Sequence, residues 1–201
     1  MSLHRKLSSY AGRIRATSRS RRDGTSDTLR WSQPDSLAVG WDERVRHLAE
    51  FIPADSRVIE FGAGHMALRR FLPTGCTYTA TDLVARDDQC EVYDLNADRL
   101  QPITNQDVAF LSGVLEYVHD VPRCIDHLTA CGVSTWVLSY AARDRSWWRL
   151  RVIRRALGWV NDYSTAELEA LFSSRGFRLD ATKIWKGQRL YRWTAESGSG
   201  S

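Results

Sequence analysis

Short apolar runs alternate with amphipathic stretches through most of this chain. Val58, Ile59 and Phe61, Val108 to Leu111, and Val133 to Tyr140 have the length and the β-branched or aromatic content of buried parallel strands. Cys76 to Asp82 (rich in Thr and Tyr) and Glu91 to Asp94 read as two further strands. Between them the period changes. Trp41, Val45, Leu48 and Phe51 share one helical face, and Cys124, Ile125 and Leu128 share another within Pro122 to Ala130. Ala67, Leu68, Phe71 and Leu72 continue a helical spacing that Pro73 stops. Ser164 and Glu167 form a capping-box pattern ahead of a helix at Leu168 to Ser174, with Gly176 suited to its end. Phe177 to Trp185 and Gln188 to Thr194 then pair across a Lys186-Gly187 turn. Alternating strands and helices give an α/β sandwich with right-handed crossovers.

The first strand runs into Gly62 and Gly64 before the next helical pattern starts. Glycine permits a sharp turn and lets a ligand approach bare backbone. A strand feeding a helix through such a turn marks a nucleotide-type cofactor site at the carboxyl edge of a sheet. Residues 62–67 formally fit the dinucleotide fingerprint G-x-G-x-x-G/A. Glu60 points the other way: a carboxylate there repels a pyrophosphate and suits a cationic ligand. Asp82 ends the second strand, at the spacing where an acid takes both ribose hydroxyls. His119, Tyr117 and Asp120 follow the fourth strand, where a general base can reach an acceptor; His119 is the first choice because imidazole titrates near neutrality.

Composition and charge narrow this picture. At 201 residues with 43% apolar content, the chain can bury one domain's core. No apolar run is long enough to span a membrane, and no signal-peptide pattern opens the chain, so a cytoplasmic protein with reduced thiols is expected. The four cysteines lack metal-ligand spacing, and no metal is expected. Residues 1–30 hold eight basic and two acidic side chains, so the rest of the chain is slightly acidic. Leu3, Leu7, Tyr10 and Ile14 fall at helical spacing within this basic stretch. Two readings follow: a solvated or partly disordered arm, which the Ser/Arg content favours, or an amphipathic helix at a partner or an anionic membrane's inner face. Residues 31–195 are then the folded domain and 196–201 a flexible Ser/Gly tail.

The series of motifs resembles the class I S-adenosylmethionine-dependent methyltransferases. Their (E/D)-x-G-x-G motif is met by Glu60, Gly62 and Gly64, although Met66 replaces a frequent third glycine. Ser112 to Tyr117 resembles their fourth-strand segment, with Tyr117 in place of a common histidine, and residues 163–177 resemble their C-terminal Y-(S/T)-x-x-E-L…G-F run. The resemblance implies a Rossmann-like three-layer sandwich whose seven-stranded, mostly parallel sheet has an antiparallel last strand. It implies S-adenosyl-L-methionine as cofactor, held by Glu60, Gly62, Ala63, Gly64, Asp82 and Leu83, by Asp94 and Leu95 at the adenine, and by Ser112 and Gly113. His65, Tyr140, Arg143, Trp147 and Trp148 become acceptor-side candidates, although the arginine- and tryptophan-rich stretch 141–163 also reads as a plain amphipathic helix.

The implied activity is methyl transfer to a hydroxyl or amine of a small molecule, or of a glycan or glycolipid precursor. Alternatives are an RNA-directed enzyme using the basic arm, a nicotinamide oxidoreductase, and a non-catalytic module of the same fold. The absence of an Asn/Asp-Pro-Pro-Tyr/Phe motif after the fourth strand argues against amino-directed DNA methylation.

Overall fold

The computed structural model describes residues 3–33, 37, 40–144 and 148–196, with side chains left aside at 3–10 and 148–151. Seven strands form one sheet: β1 (Arg57–Phe61), β2 (Thr77–Asp82), β3 (Cys90–Val92), β4 (Val108–Ser112), β5 (Thr135–Tyr140), β6 (Phe177–Trp185) and β7 (Gln188–Ala195). Their order is β3-β2-β1-β4-β5-β7-β6, and only β7 runs against its neighbours. The first strand pairs outward in both directions, so strand order reverses between β1 and β4. A crevice forms at the carboxyl ends there, where this class of sheet takes its ligands.

Alternation within the central strands explains the two cores. Val58, Phe110 and Val137 face one layer with Val45 and Leu48 of α3 (Trp41–Ala49). Ile59, Leu111, Trp136 and Leu138 face the other, against α4 (Val121–Ala130) and α6 (Thr165–Ser173). An aromatic stack seals that second layer: Phe172 lies on Trp193 at 5.1 Å and edge-on to Trp136 at 5.5 Å. Caps fix the helix starts. Ser164 and Glu167 form the expected capping box, and Asp120 accepts the Arg123 amide at 3.0 Å to begin α4.

Three local readings change. After the glycine turn there is one 3₁₀ turn, Ala67–Arg70, instead of a longer helix. Met66 is in the left-handed region, which breaks helical continuity before it, and Phe71 and Leu72 pack as loop residues on the α3 core. The third strand is only Cys90–Val92, leaving Asp94 in the loop beyond it. The basic N-terminal stretch is helical, not a solvated coil: α1 covers Leu3–Asp23 and lies beside α5 (Trp148–Ala156). Thr17 makes the reason visible, since its buried hydroxyl donates to the Arg155 carbonyl at 2.8 Å. Burial against a second helix can stabilise a basic helix that would fray alone. A short α2 (Thr28–Trp31) follows. Among the described residues no helix is long and apolar enough to cross a membrane. Residues 197–201 lie outside the described residues.

Candidate active-site cleft

The turn after β1 is built for close approach. Gly62 has φ 71°, and a Cβ there would sit 2.5 Å from a Val114 methyl. The next amides are pinned to β2: Ala63 donates to the Thr81 carbonyl at 3.0 Å and Gly64 to Asp82 Oδ2 at 2.8 Å. The other Asp82 oxygen accepts the Val84 amide at 3.2 Å, and Arg86 lies 3.5 Å from Oδ2. Asp82 is therefore fixed at the cleft wall with lone pairs to spare. Glu60 is buried beneath the turn and accepts the Tyr78 hydroxyl. Burial pushes its carboxyl up to about 8, with the Asp82 charge adding to the rise against the Tyr78 hydrogen bond.

Asp94 and Leu95 continue the same wall. Asp94 accepts the Ser26 hydroxyl at 2.6 Å and the Asn96 amide at 2.8 Å. Asn96 in turn donates to Ser26 Oγ and to the Tyr117 carbonyl, both at 2.8 Å. Residues 20–31 thus form a strap bound to the β3 loop. Its far end reaches Arg86, which donates to the Trp31 carbonyl.

At the end of β4, Gly113 donates to Ser139 Oγ at 2.8 Å, and Arg44 of α3 donates to Ser112 Oγ at 2.8 Å and the Ser112 carbonyl at 3.0 Å. Arg44 is only 5% exposed. Next to it stand three rings: Trp31 lies 6.4 Å from Trp41 and edge-on to Tyr117 at 5.1 Å. One continuous cleft of about 1180 Å³ holds both walls, the carboxylate-lined half and the aromatic half.

A methyltransferase-domain family matches residues 36–182. The chain belongs to that family. No curated protein matches the chain. Among solved structures, CalO1, a methyltransferase of calicheamicin biosynthesis in its SAH-bound form, is 18% identical over 77% of this chain, with a TM-score of 0.56. This chain spans about half (54%) of CalO1. The mitomycin 7-O-methyltransferase MmcR is 16% identical, covers 93% of this chain and 67% of its own, and has a TM-score of 0.63. NcsB1, an O-methyltransferase of neocarzinostatin biosynthesis solved with S-adenosylmethionine and 2-hydroxy-5-methyl naphthoic acid, is 17% identical over 94% of this chain and 68% of its own, at a TM-score of 0.57. Identities this low establish a shared fold.

In this methyltransferase domain the residues expected at the cofactor all line the cleft: Glu60, Gly62, Ala63, Gly64, Asp82, Leu83, Asp94, Leu95, Ser112 and Gly113. His65 lines its mouth and is exposed, and Tyr117 lines its aromatic half. The other expected residues stand elsewhere. His119 Nε2 lies 3.2 Å from the Thr25 carbonyl and 3.3 Å from Ser20 Oγ, so the imidazole fastens the strap from behind. Asp120 is spent as the α4 cap. Tyr140 is fully buried, donating to Asn161 Oδ1 at 2.6 Å and accepting the Tyr163 amide at 2.8 Å. Arg143 is held by Glu167 at the start of α6. Trp147, and the side chain of Trp148, lie outside the described residues.

Sequence reasoning missed Arg30, Trp31, Trp41 and Arg44 as cleft residues. Arg44 carried a readable signal: it follows Trp41 by three positions and so falls on the apolar face with Val45 and Leu48. Arg30 and Trp31 carried none, because only the packing of the strap brings them over the sheet.

Proposed function

We propose that this domain binds S-adenosyl-L-methionine and transfers its methyl group to a hydroxyl or amine of a small molecule or glycan-type acceptor. The observation that carries the reading is the single cleft, in which a carboxylate-lined nucleotide wall opens directly onto an aromatic wall. The residues fit the cofactor: Gly62 and Gly64 turn the backbone at positive φ along the cleft, and the acidic wall suits a hydroxyl-rich, cationic ligand. Solved relatives of the fold, CalO1 with SAH and NcsB1 with S-adenosylmethionine, support the same choice.

When bound, S-adenosylmethionine supplies an electrophilic methyl group and a good leaving group. Asp82 would hold the ribose hydroxyls, Asp94 and Leu95 the adenine, and Glu60 the ammonium end. The strap and the rings of Trp31, Trp41 and Tyr117 exclude water and orient the acceptor, which is where most of the rate would come from. Tyr117 keeps its proton: burial raises it, and its hydroxyl faces the Leu157 carbonyl at 3.3 Å. His65 is the imidazole that faces the cleft and so the side chain placed to take an acceptor proton.

Calorimetric titration of the protein with S-adenosylmethionine, S-adenosylhomocysteine and NAD tests this, with Asp82→Ala as control. Both adenosyl ligands should bind, and the control should lose at least about 100-fold in affinity, since charge-assisted hydrogen bonds to two hydroxyls are removed. Binding of NAD alone, or of none of the three, defeats the proposal.

The exposed Arg13, Arg15, Arg19, Arg21 and Arg22 on α1 support a second reading, an RNA acceptor. Steeply salt-dependent binding of a short RNA to the protein would favour it.

A further inference from the structure

The aromatic half of the cleft contains two arginines that form no ion pair among the described residues. Arg30 and Arg44 both line it, and among the described residues neither has a carboxylate within ion-pair distance. The two carboxylates on that half are committed elsewhere: Asp27 accepts the Arg30 amide at 3.2 Å to start α2, and Asp42 pairs with Arg70. Glu116 is near enough for its charge to act on Arg44. It is itself buried, accepts the Ala141 amide at 2.9 Å, and is pushed by burial toward its neutral form. A guanidinium that is 5% exposed without a carboxylate in ion-pair contact is costly.

Donors also remain. Arg44 uses one hydrogen of each terminal nitrogen, toward Ser112 and toward Gln188 Oε1 at 3.1 Å. Each of those nitrogens carries a second hydrogen. Arg30 gives one bond, to the Leu157 carbonyl, and keeps the rest of its fork. That seat depends on Gly158, where a Cβ would overlap the guanidinium.

The two guanidinium groups and three rings form one connected cluster. Arg30 lies over Trp31 at 4.9 Å and over Tyr117 at 5.7 Å, Arg44 lies over Trp41 at 5.5 Å, and Trp31 bridges the other two rings. Flat apolar faces select a planar ligand. Paired guanidinium forks select a planar anion and repel the ammonium ligands that bare aromatic cages hold.

We infer that this cluster is an acceptor subsite for an aromatic carboxylate, with the carboxylate taken by Arg30 and Arg44 beside the rings of Trp31, Trp41 and Tyr117. The inference rests on the methyltransferase reading above and adds the chemical class of the acceptor. It differs from a neutral phenol or sugar site in requiring charge.

The test is calorimetric titration of the full chain, loaded with S-adenosylhomocysteine, with 2-naphthoate and with 2-naphthamide, which is planar and uncharged. The acid should bind at least about tenfold more tightly than the amide, the scale of one charge-assisted hydrogen-bonded contact. Arg30→Gln, measured in protein saturated with S-adenosylhomocysteine, should bring that preference below about threefold. Arg30→Lys, which keeps charge but loses the fork, should fall between the two. Equal binding of acid and amide, no binding of the acid, or a full preference surviving in Arg30→Gln overturns the subsite while leaving the methyltransferase reading intact. Failure of S-adenosylhomocysteine to bind the unaltered protein defeats both.

Discussion

The two halves of the cleft are assembled by different means. The cofactor half comes from consecutive strand ends: Gly62 and Gly64 after β1, Asp82 at the end of β2, Asp94 just beyond β3. Parallel strands in register bring such residues to one edge, because Glu60 sits opposite Ala80 and Phe110. The aromatic half, proposed above for the acceptor, comes from segments far apart in the chain: the strap at 26–31, Trp41 and Arg44 of α3, Tyr117 after β4 and Gly158 after α5. Nothing in local spacing joins them. Backbone topology therefore builds the glycine-and-carboxylate half, and long-range side-chain packing builds the aromatic half.

The contrast can be broken at Gly62, where the backbone of one half meets a side chain of the other. Gly62→Ala forces a Cβ against Val114 at a left-handed φ. We expect a stability loss of about 1–3 kcal/mol and roughly tenfold weaker binding of S-adenosylhomocysteine. Adding Val114→Ala should recover the steric share and leave the smaller conformational one. Thermal melts and titration of the single and double variants measure both; no effect from Gly62→Ala would mean that the turn tolerates a side chain and is no cofactor cradle.

A smaller effect belongs to Glu60, which lies under the cofactor half alone. Its folded value of about 8 stands above the ordinary 4.5. Between those values the native chain holds a proton that the unfolded chain has lost, so this group's contribution to stability falls as pH rises and levels off above about 8. Glu60→Gln should flatten that fall in melting temperature and leave the protein more stable than the parent at alkaline pH. It should also remove the proton release expected when a cationic ligand binds near neutral pH, which titration in buffers of different ionisation enthalpy reads directly. If the pH dependence is the same in parent and variant, the buried carboxyl is not what titrates.

These halves also mark how far the sequence could be read. The alternation of strands and helices and the hairpin at the Lys186-Gly187 turn were legible because each is written in consecutive residues, whereas the antiparallel last strand was legible only through the resemblance to the family. Every expected cofactor residue lines the cleft for the same reason. Tyr140 illustrates the opposite case. It lies at the carboxyl end of β5, where an acceptor residue is plausible, yet its hydroxyl is consumed by Asn161 and the Tyr163 amide. Residue type and strand position do not say which way a side chain is claimed. Charge in the basic N-terminal stretch likewise suggested solvent, while Thr17, Ser20 and Ser26 tie that stretch to Arg155, His119 and Asp94 through hydroxyls that composition alone cannot rank.

The smallest expected effect falls on His119, the residue that spacing placed at the centre of catalysis. In the fold its backbone amide donates to Asn96 Oδ1 at 2.8 Å, and its ring touches the strap at Thr25 and Ser20. It acts through the strap. Removing one such neutral contact costs about 1 kcal/mol, or less than tenfold in any linked equilibrium. His119→Ala should therefore weaken S-adenosylhomocysteine binding by about threefold, mainly through faster release, and raise amide hydrogen exchange across residues 20–31. Ser26→Ala, which removes the strap's bond to Asp94, should do the same from the cleft side. A His119→Ala variant with normal binding, normal exchange and turnover lost by orders of magnitude would show instead that the strap swings away and the imidazole enters the cleft as a base. Matching modest effects in the two variants would make His119 and Ser26 two ends of one fastening, and would place the control of cofactor exchange in the segment that also carries Arg30 and Trp31 into the acceptor half.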